Sequence, residues 1–201
     1  MSKDIIVSSG NKHKIDEITK ILKDLPVNIL SKDDVGLEDF DVVEDKDTLE
    51  GNALKKATEM WEHVDGIVIA DDSGLFVDSL KGDPGIYSAR YAGENAKDKD
   101  NNKKLLNELD GVELEDRTAS FKTAIAIVLE NGETKTLIGE CSGRIGFTPK
   151  GSSGFGYDPL FIVDGYNKTF AELGEETKNK ISHRANALKK LRTYLEDIIK
   201  D

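Results

Sequence analysis

Hydrophobic residues in the first third of the chain predict a strand, a helix and a second strand. The β-branched run Ile5-Ile6-Val7 ends in turn residues and is typical of a short buried strand. An amphipathic helix is predicted next, because apolar residues recur every three or four positions: Ile15, Ile18, Leu22 and Leu25. Residues 27–30 predict a second strand. A strand, a glycine-containing turn and a helix in this order indicate an α/β unit.

A second helix and the most apolar strand of the chain follow. The helix is predicted over residues 48–64, with Thr48 as its N-cap. Residues 67–70, Ile-Val-Ile-Ala, predict a buried strand that stops at Asp71, and an extended pattern resumes at residues 75–77. Asp71 and the next residue, Asp72, are therefore expected at the carboxyl end of that strand.

The second half of the chain adds an antiparallel pattern. Residues 118–129 alternate between apolar and polar, Asn131-Gly132 is a strong hairpin signal, and residues 134–138 predict the returning strand. The other predicted elements are a polar helix at 98–109, a glycine-rich loop at 151–158, a strand at 160–163 and a last helix with apolar residues from Ile181 to Ile198. The predicted fold class is therefore α/β, with a mixed central sheet flanked by helices. We expect a single domain over residues 1–201, built as two lobes with a cleft between them.

The charge of the chain argues against a polyanionic partner. It has 28 Lys and Arg against 39 Asp and Glu, a net charge of -11, which repels phosphate backbones at long range, so nucleic-acid binding is not expected. No apolar run approaches the ~20 residues needed to cross a bilayer, so no membrane partner is expected. The single cysteine, Cys141, suits a reducing compartment, and the N-terminus has no signal-peptide core, which together predict a cytoplasmic protein.

The segment Ser9-Gly10-Asn11-Lys12-His13-Lys14 lies where the first strand meets the first helix. Backbone N–H groups at a helix start bind anions, and here Gly10 permits close approach while Lys12 and Lys14 add charge. The segment is not a P-loop, because GxxxxGK[ST] is absent. The alternative interpretation is a solvated helix start whose lysines bind no ligand.

Asp71-Asp72-Ser73-Gly74 is the second candidate, at a strand end where α/β folds place ligands. Carboxylate oxygens suit Mg²⁺, which takes one or two carboxylates together with substrate phosphates. The alternative is an ordinary polar turn, since Asp, Ser and Gly are common turn residues.

Two further candidates lie near the C-terminus. In the loop at 151–158, Phe155 and Tyr157 offer ring faces on which a base could stack, unless both rings belong to the core. Lys178 and Ser182-His183-Arg184 are placed at the start of the last helix. Cations are disfavoured there by the helix dipole, which favours a ligand; the alternative is an ordinary charged first turn.

Six segments, taken in order, resemble the inosine triphosphate pyrophosphatase family, whose members hydrolyse non-canonical purine nucleoside triphosphates. The matching segments are Ser9-Gly10-Asn11-Lys12-His13-Lys14, Asn52-Ala53-Leu54-Lys55-Lys56-Ala57, Ala70-Asp71-Asp72-Ser73-Gly74-Leu75, Pro84-Gly85-Ile86-Tyr87-Ser88-Ala89-Arg90-Tyr91, Gly154-Phe155-Gly156-Tyr157-Asp158-Pro159, and Lys178 with Ser182-His183-Arg184. They extend over nearly the whole chain.

The resemblance implies a role for each matching residue. Asp72 matches the general base and metal ligand, and Glu44, in a segment with several carboxylates (41–47), falls where the second metal carboxylate is expected. The positions that hold the triphosphate match Ser9, Gly10, Asn11, Lys12, His13, Lys14, Lys56 and Ser73. The positions of the base pocket match Phe155, Gly156, Tyr157, Asp158, Lys178, His183 and Arg184.

The family's activity and assembly are expected to follow. The resemblance implies Mg²⁺-dependent hydrolysis of ITP, dITP and XTP to a monophosphate and pyrophosphate, by a homodimer with an elongated central sheet and a deep active-site cleft. Two other interpretations remain: a pyrophosphatase for other modified nucleotides, and a protein that binds nucleotides without catalysis. Asp71, Asp72 and Glu44 argue against the second, since a binding protein gains nothing from carboxylates that face a triphosphate.

Overall fold

A computed structural model of the protein describes residues 2–199. Within that range the chain divides into two compact units. The first unit comprises residues 2–72, 123–139 and 185–199, and the second comprises residues 73–122 and 140–184. Residues 1, 200 and 201, the ends of the predicted single domain, lie outside the described part of the chain.

The strands of the described residues form one mixed sheet of seven members. They are β1 (Lys3–Val7), β2 (Val27–Ser31), β3 (Ile67–Val77), β4 (Pro84–Gly85), β5 (Thr118–Val128), β6 (Thr134–Ile145) and β7 (Phe161–Val163). Their order is β2-β1-β3-β5-β6-β7, and β4 pairs with β3. β1 is parallel to β2 and β3, whereas β4 is antiparallel to β3, and β7 is antiparallel to β6. The predicted α/β class with a mixed sheet is confirmed.

Within residues 2–199 the α-helices are α1 (Lys12–Leu22), α2 (Leu49–Trp61), α3 (Asp98–Glu108), α4 (Phe170–Ile181) and α5 (His183–Ile199). Helices α1, α2, α3 and α5 follow the predicted periodicities, whereas most of α4 lies outside the predicted helices. Thr48 caps α2 as predicted, because its hydroxyl accepts a hydrogen bond from Gly51 N–H at 3.0 Å. None of these helices has the length and apolar composition required to cross a membrane.

Each unit has its own hydrophobic core. In the first unit, residues of β1, β3 and β5 pack with α1 and α5, and the buried side chains include Ile5, Leu22, Ile69, Ile127 and Leu191. In the second unit, the buried side chains include Leu75, Leu105, Tyr157, Phe161 and Phe170. These cores fix the elements on which the candidate site residues lie.

β3 continues through the two acids, which corrects the prediction of a strand that stops at Asp71. It extends from Ile67 to Val77 without interruption, and Asp71 and Asp72 are only 5% and 7% exposed. Each buried carboxylate has a partner: Lys14 Nζ lies 3.0 Å from Asp71 Oδ1, and Asn52 Nδ2 donates to Asp72 Oδ2 at 3.0 Å. Because paired charges can be buried, the strand does not have to end where they occur.

The predicted last helix is two helices, α4 and α5. Ser182 separates them, because its backbone is extended, with φ -67° and ψ 161°. Lys178 therefore lies in the last turn of α4 and not, as predicted, at the start of the last helix. A cation in that position interacts favourably with the helix dipole. His183 and Arg184 do lie in the first turn of α5.

Candidate active site

The loop between β1 and α1 is organised by Asn11. Its side chain accepts hydrogen bonds from His13 N–H at 3.0 Å and Lys14 N–H at 3.4 Å, and its own N–H donates to Ser9 Oγ at 3.1 Å. Two of the backbone amides predicted to bind an anion are therefore engaged by the cap. The exposed residues of this segment are Gly10, Asn11, Lys12 and His13.

A pocket of about 200 Å³ lies beside this loop in the first unit. Its polar lining includes Ser8, Ser9, Gly10, Lys14, Glu44 and Lys56. Pockets for whole drug-sized ligands measure roughly 300–1,000 Å³, so this volume suits part of a ligand. Three lysine side chains, Lys14, Lys32 and Lys56, line this small polar pocket and favour a phosphate group.

Lys56 is surrounded by oxygen atoms of acidic residues. Its Nζ lies 2.6 Å from Glu44 Oε1, 2.7 Å from the backbone oxygen of Asp71 and 3.9 Å from Asp72 Oδ1. Lys14 Nζ forms a second ion pair, 3.0 Å from Asp71 Oδ1. The first unit therefore brings together Glu44 and Asp72, assigned by the resemblance to the metal, and Lys14 and Lys56, assigned to the phosphates.

The electrostatic environment alters the pKa values of the Asp72 carboxyl and the Lys56 ammonium. Burial raises the pKa of the Asp72 carboxyl above its ordinary value, Lys56 opposes this shift, Glu44 adds to it, and the hydrogen bond from Asn52 opposes it. Burial lowers the pKa of Lys56, but the carboxylates of Asp72, Asp71 and Glu44 outweigh burial and raise it. Lys56 therefore stays protonated, and Asp72 is a stronger base than an exposed aspartate.

The oxygen atoms around Lys56 also bear on the expected metal. Among residues 2–199, no three His, Cys, Asp or Glu side chains form a metal-binding group. Two carboxylates, from Glu44 and Asp72, nevertheless converge on the Lys56 ammonium. This donor set fits Mg²⁺, which takes oxygen ligands and uses one or two carboxylates with substrate phosphates. Glu44 and Asp72 are the residues that could hold it.

A buried ion pair forms the centre of the candidate base pocket in the second unit. Lys178 Nζ lies 2.5 Å from Asp158 Oδ2, and the two side chains are only 6% and 3% exposed. The same ammonium lies 4.3 Å from the ring centroid of Phe155. Burial raises the pKa of Asp158, while Lys178 and the Phe155 N–H act in the opposite direction. The ion pair with Asp158 holds the Lys178 ammonium in place.

The two aromatic residues of the glycine-rich loop have different environments. Phe155 is 39% exposed, so part of its ring can contact a ligand. Tyr157 is 4% exposed, belongs to the hydrophobic core and donates its hydroxyl to Ser88 O at 2.8 Å. The prediction that the Tyr157 face stacks on a base is therefore corrected. Its ring is buried because apolar neighbours surround it and its hydroxyl has a buried partner.

The first turn of α5 contributes two buried side chains. His183 is 5% exposed and stacks on Phe121, with ring centroids 4.7 Å apart. Arg184 is 2% exposed, and its Nη2 donates to Ser73 Oγ at 3.3 Å. Arg184 also lowers the pKa of Asp158 electrostatically. The second unit thus brings Ser73, assigned to the phosphates, close to residues assigned to the base.

Comparison with known proteins identifies the family. The sequence profile of the Ham1 family matches residues 5–194. The chain belongs to the Ham1 family. This match confirms the resemblance inferred from the six segments.

Similarity to individual Ham1 relatives covers nearly the full length. A dITP/XTP pyrophosphatase of Thermoanaerobacter sp. (strain X514) is 55% identical over 191 residues, covering 95% of this chain and 96% of that protein. A dITP/XTP pyrophosphatase of Bacillus subtilis (strain 168) is 47% identical over 194 residues, covering 96% and 98%. The structure of the Staphylococcus aureus Ham1 protein matches with a TM-score of 0.88 at 43% identity, covering 97% of this chain and 99% of that one.

Three polar residues of this Ham1 protein support the site without having been assigned a role from the sequence. Asn52, 1% exposed, donates to Asp72 and accepts from Lys46 N–H. Asp98 and Asn102 bond the backbone of Gly156. The two asparagines could have been found by their spacing, because Asn52 lies on the apolar face of α2 and Asn102 precedes Leu105 and Leu106 by three and four positions.

Proposed function

We propose that this protein hydrolyses non-canonical purine nucleoside triphosphates, among them dITP, XTP and ITP, to the monophosphate and pyrophosphate. The observation that carries the proposal is the convergence of Glu44 and Asp72 on Lys56 Nζ, beside a pocket lined by Lys14. The substrate class is supported by relatives named dITP/XTP pyrophosphatase. The reaction would remove aberrant nucleotides from the nucleotide pool.

The first unit supplies the groups that bind the triphosphate in this proposal. Lys14 and Lys56 provide positive charge at the pocket, where both ammonium groups now contact carboxylates. Glu44 and Asp72 would hold Mg²⁺, which would neutralise phosphate charge and lower the pKa of the attacking water. The lysines are then available to the phosphate oxygens rather than to the acids alone.

Asp72 acts as the general base. The water oxygen bonds to the α-phosphorus, the bond from that phosphorus to the oxygen bridging the β-phosphorus breaks, and pyrophosphate leaves. The proton of the water goes to the Asp72 carboxylate. Asn52 fixes the orientation of this carboxylate, and in the metal-free protein burial raises its pKa above the ordinary value.

The second unit supplies the choice of base. Lysine and arginine are hydrogen-bond donors only, so Lys178 and Arg184 favour the 6-oxo group of hypoxanthine or xanthine. An adenine presents a 6-amino donor, which leaves buried donors unpaired at a cost of ~1–3 kcal/mol each. Phe155, with its ring partly exposed, offers a stacking face.

A substrate panel tests the proposal. The purified protein is incubated with ITP, XTP, dITP, GTP, ATP and dTTP, with and without Mg²⁺, and pyrophosphate and orthophosphate are assayed separately. We expect pyrophosphate chiefly from ITP, XTP and dITP, and only with Mg²⁺. Orthophosphate would show that the terminal phosphoryl bond is cut. Release chiefly from dTTP or another pyrimidine would indicate a different substrate class, and nucleotide binding without release would indicate a binding protein.

We further propose that the protein is a cytoplasmic homodimer. Members of the family that its sequence resembles are commonly homodimers, and the segment 86–91 includes Tyr87, which is 53% exposed. Tyrosine is enriched in protein–protein interfaces, so this exposed side chain is a candidate contact of the dimer. The single cysteine, Cys141, is buried and unpaired, as suits a reducing compartment.

A further inference from the structure

Helix α3 binds both backbone polar groups of one residue in the glycine-rich loop. Asp98 Oδ2 accepts a hydrogen bond from Gly156 N–H at 2.7 Å, and Asn102 Nδ2 donates to Gly156 O at 3.0 Å. Asp98 and Asn102 are four residues apart, so they lie on one face of the helix. Two side chains from consecutive turns therefore clamp a single residue of the loop.

The clamped residue lies between side chains that we assign to base binding. Gly156 has a φ of +59°, in the left-handed region, and directly follows Phe155. The loop is closed by Phe155 N–H, which donates to Asp158 Oδ2 at 2.9 Å, and by Asp158 N–H, which donates to Phe155 O at 3.2 Å. The Phe155 ring and the Asp158 carboxylate both contact the Lys178 ammonium. The position of Gly156 therefore sets the position of the Phe155 ring and the Asp158 carboxylate.

The environment of Asn102 indicates that the side chain serves to bind the loop and not only to fill the core. Asn102 is 9% exposed, and among the described residues its buried Oδ1 has no hydrogen-bond partner. A buried acceptor without a partner is unfavourable, so packing alone would be served better by an apolar side chain. The Asn102 amide makes its hydrogen bond through Nδ2, which donates to Gly156 O.

We propose that Asp98 and Asn102 are positioning residues for base selection, acting through Gly156 on Phe155 and Asp158. The inference rests on the proposed function. Neither residue belongs to the first unit, where we place the two phosphate-binding lysines, Lys14 and Lys56, and the general base, Asp72. Loss of the clamp should therefore raise KM for ITP while changing kcat little, and should reduce the preference for ITP over ATP.

Asp98→Ala tests the clamp, with two matched variants. Asp98→Asn keeps a carbonyl oxygen that can accept from Gly156 N–H. Asp100→Ala removes a second exposed carboxylate from the first turn of α3, where Asp100 Oδ2 accepts a hydrogen bond from Lys97 N–H rather than from the loop. Steady-state rates with ITP and ATP give kcat and KM, and hydrogen exchange measured by mass spectrometry reports on residues 153–159.

The three variants should separate positioning from helix stability. We expect Asp98→Ala to lose about tenfold in the ITP-to-ATP ratio of kcat/KM, mostly through KM for ITP, and to accelerate exchange in the loop. Asp98→Asn should recover most of that ratio, and Asp100→Ala should keep it. Asn102→Leu, which removes the unpaired acceptor together with the donor, should repeat the loss without lowering the melting temperature by much.

Two results would overturn the inference. One is an unchanged ITP-to-ATP ratio in Asp98→Ala and Asn102→Leu, and the other is an equal fall of the ratio in Asp100→Ala. If the unmodified protein released no pyrophosphate from ITP, the proposed function would fail instead. In that case, equal rates of hydrogen exchange at residues 153–159 in Asp98→Ala and Asp100→Ala would show that Asp98 does not hold the loop either.

Discussion

Lys14 and Lys56 each contact a carboxylate that is itself part of the candidate site. Lys14 pairs with Asp71, and Lys56 lies 2.6 Å from Glu44. A buried carboxylate is costly without a cation, and a buried lysine is costly without an anion. Each residue of this cluster therefore has a structural task besides its proposed role in catalysis, and the two can be separated by substitutions that keep the shape.

Asp72→Asn should remove the general base but keep the fold. The substituted amide can still accept the hydrogen bond from Asn52. We expect turnover of ITP to fall by roughly 100-fold or more, as when a general base is lost. The measurement is kcat at saturating ITP and Mg²⁺. Near-normal turnover would remove Asp72 from the mechanism.

The same substitution should stabilise the protein at neutral pH. Because the pKa of Asp72 is raised on folding above its ordinary 3.8, its contribution to stability is present below the unfolded pKa and is lost as pH rises through the folded pKa. The neutral amide does not titrate, so Asp72→Asn should gain stability relative to the natural protein as pH rises from about 4. Urea unfolding in EDTA at pH 3.5 to 7 measures this difference, and a constant difference across that range would contradict it.

Arg184→Ala should reduce activity on ITP more than on ATP. The guanidinium is proposed to donate to the 6-oxo group, which ATP lacks, and a lost hydrogen bond of this kind costs ~1–3 kcal/mol, or about tenfold or more in kcat/KM. Arg184→Lys keeps a cationic donor and serves as the matched control, with a smaller change expected. Equal losses on both nucleotides would mean that Arg184 holds phosphate or, through Ser73, structure.

At the scale of elements, hydrophobic periodicity predicted most of the secondary structure. β1, α1, β2 and α2 all lie within a few residues of their predicted bounds. The misplaced bounds involve polar residues with partners distant in sequence. β3 continues through Asp71 because Lys14 pairs with it, a contact across 57 positions of chain. Ser182 interrupts the last helix although its neighbours on both sides keep a helical pattern.

The cap of α2 gives a test at this scale. Thr48→Ala removes the hydroxyl that accepts from Gly51 N–H, and we expect the free energy of unfolding to fall by about 1 kcal/mol. Thr58→Ala, inside the same helix, should show no comparable loss, because alanine has the higher helix propensity. Chemical denaturation of both variants measures the difference. Equal stability of the two would show that the cap contributes nothing measurable.

At the scale of the whole molecule, the excess of acids shapes how a nucleotide can be recognised. A net charge of -11 repels a triphosphate at long range, so the proposed binding depends on cations close to the site. Six segments spread over nearly the whole chain carry the family resemblance, and they supply those cations. The global charge therefore argues more strongly against a nucleic-acid partner than against a small anion.

The proposed homodimer is tested by light scattering. We expect a molar mass of about twice the 22.1 kDa of one chain, at several protein concentrations and at moderate salt. Tyr87→Glu, which places a charge on the exposed segment at 86–91, should shift the mass towards that of one chain. A mass of 22.1 kDa for the unsubstituted protein would exclude the dimer.

The sequence by itself determined the class of fold, the family and the segments that carry chemistry, because periodicity and short motifs are local properties of the chain. It assigned Asp72, Lys56 and Lys178 to the candidate site through the family resemblance, but not what each one contacts. Tertiary structure decided that the Tyr157 ring is buried and that Asn52 bonds Asp72. These outcomes depend on which distant groups meet, since a buried polar atom is tolerated only where packing brings it a partner.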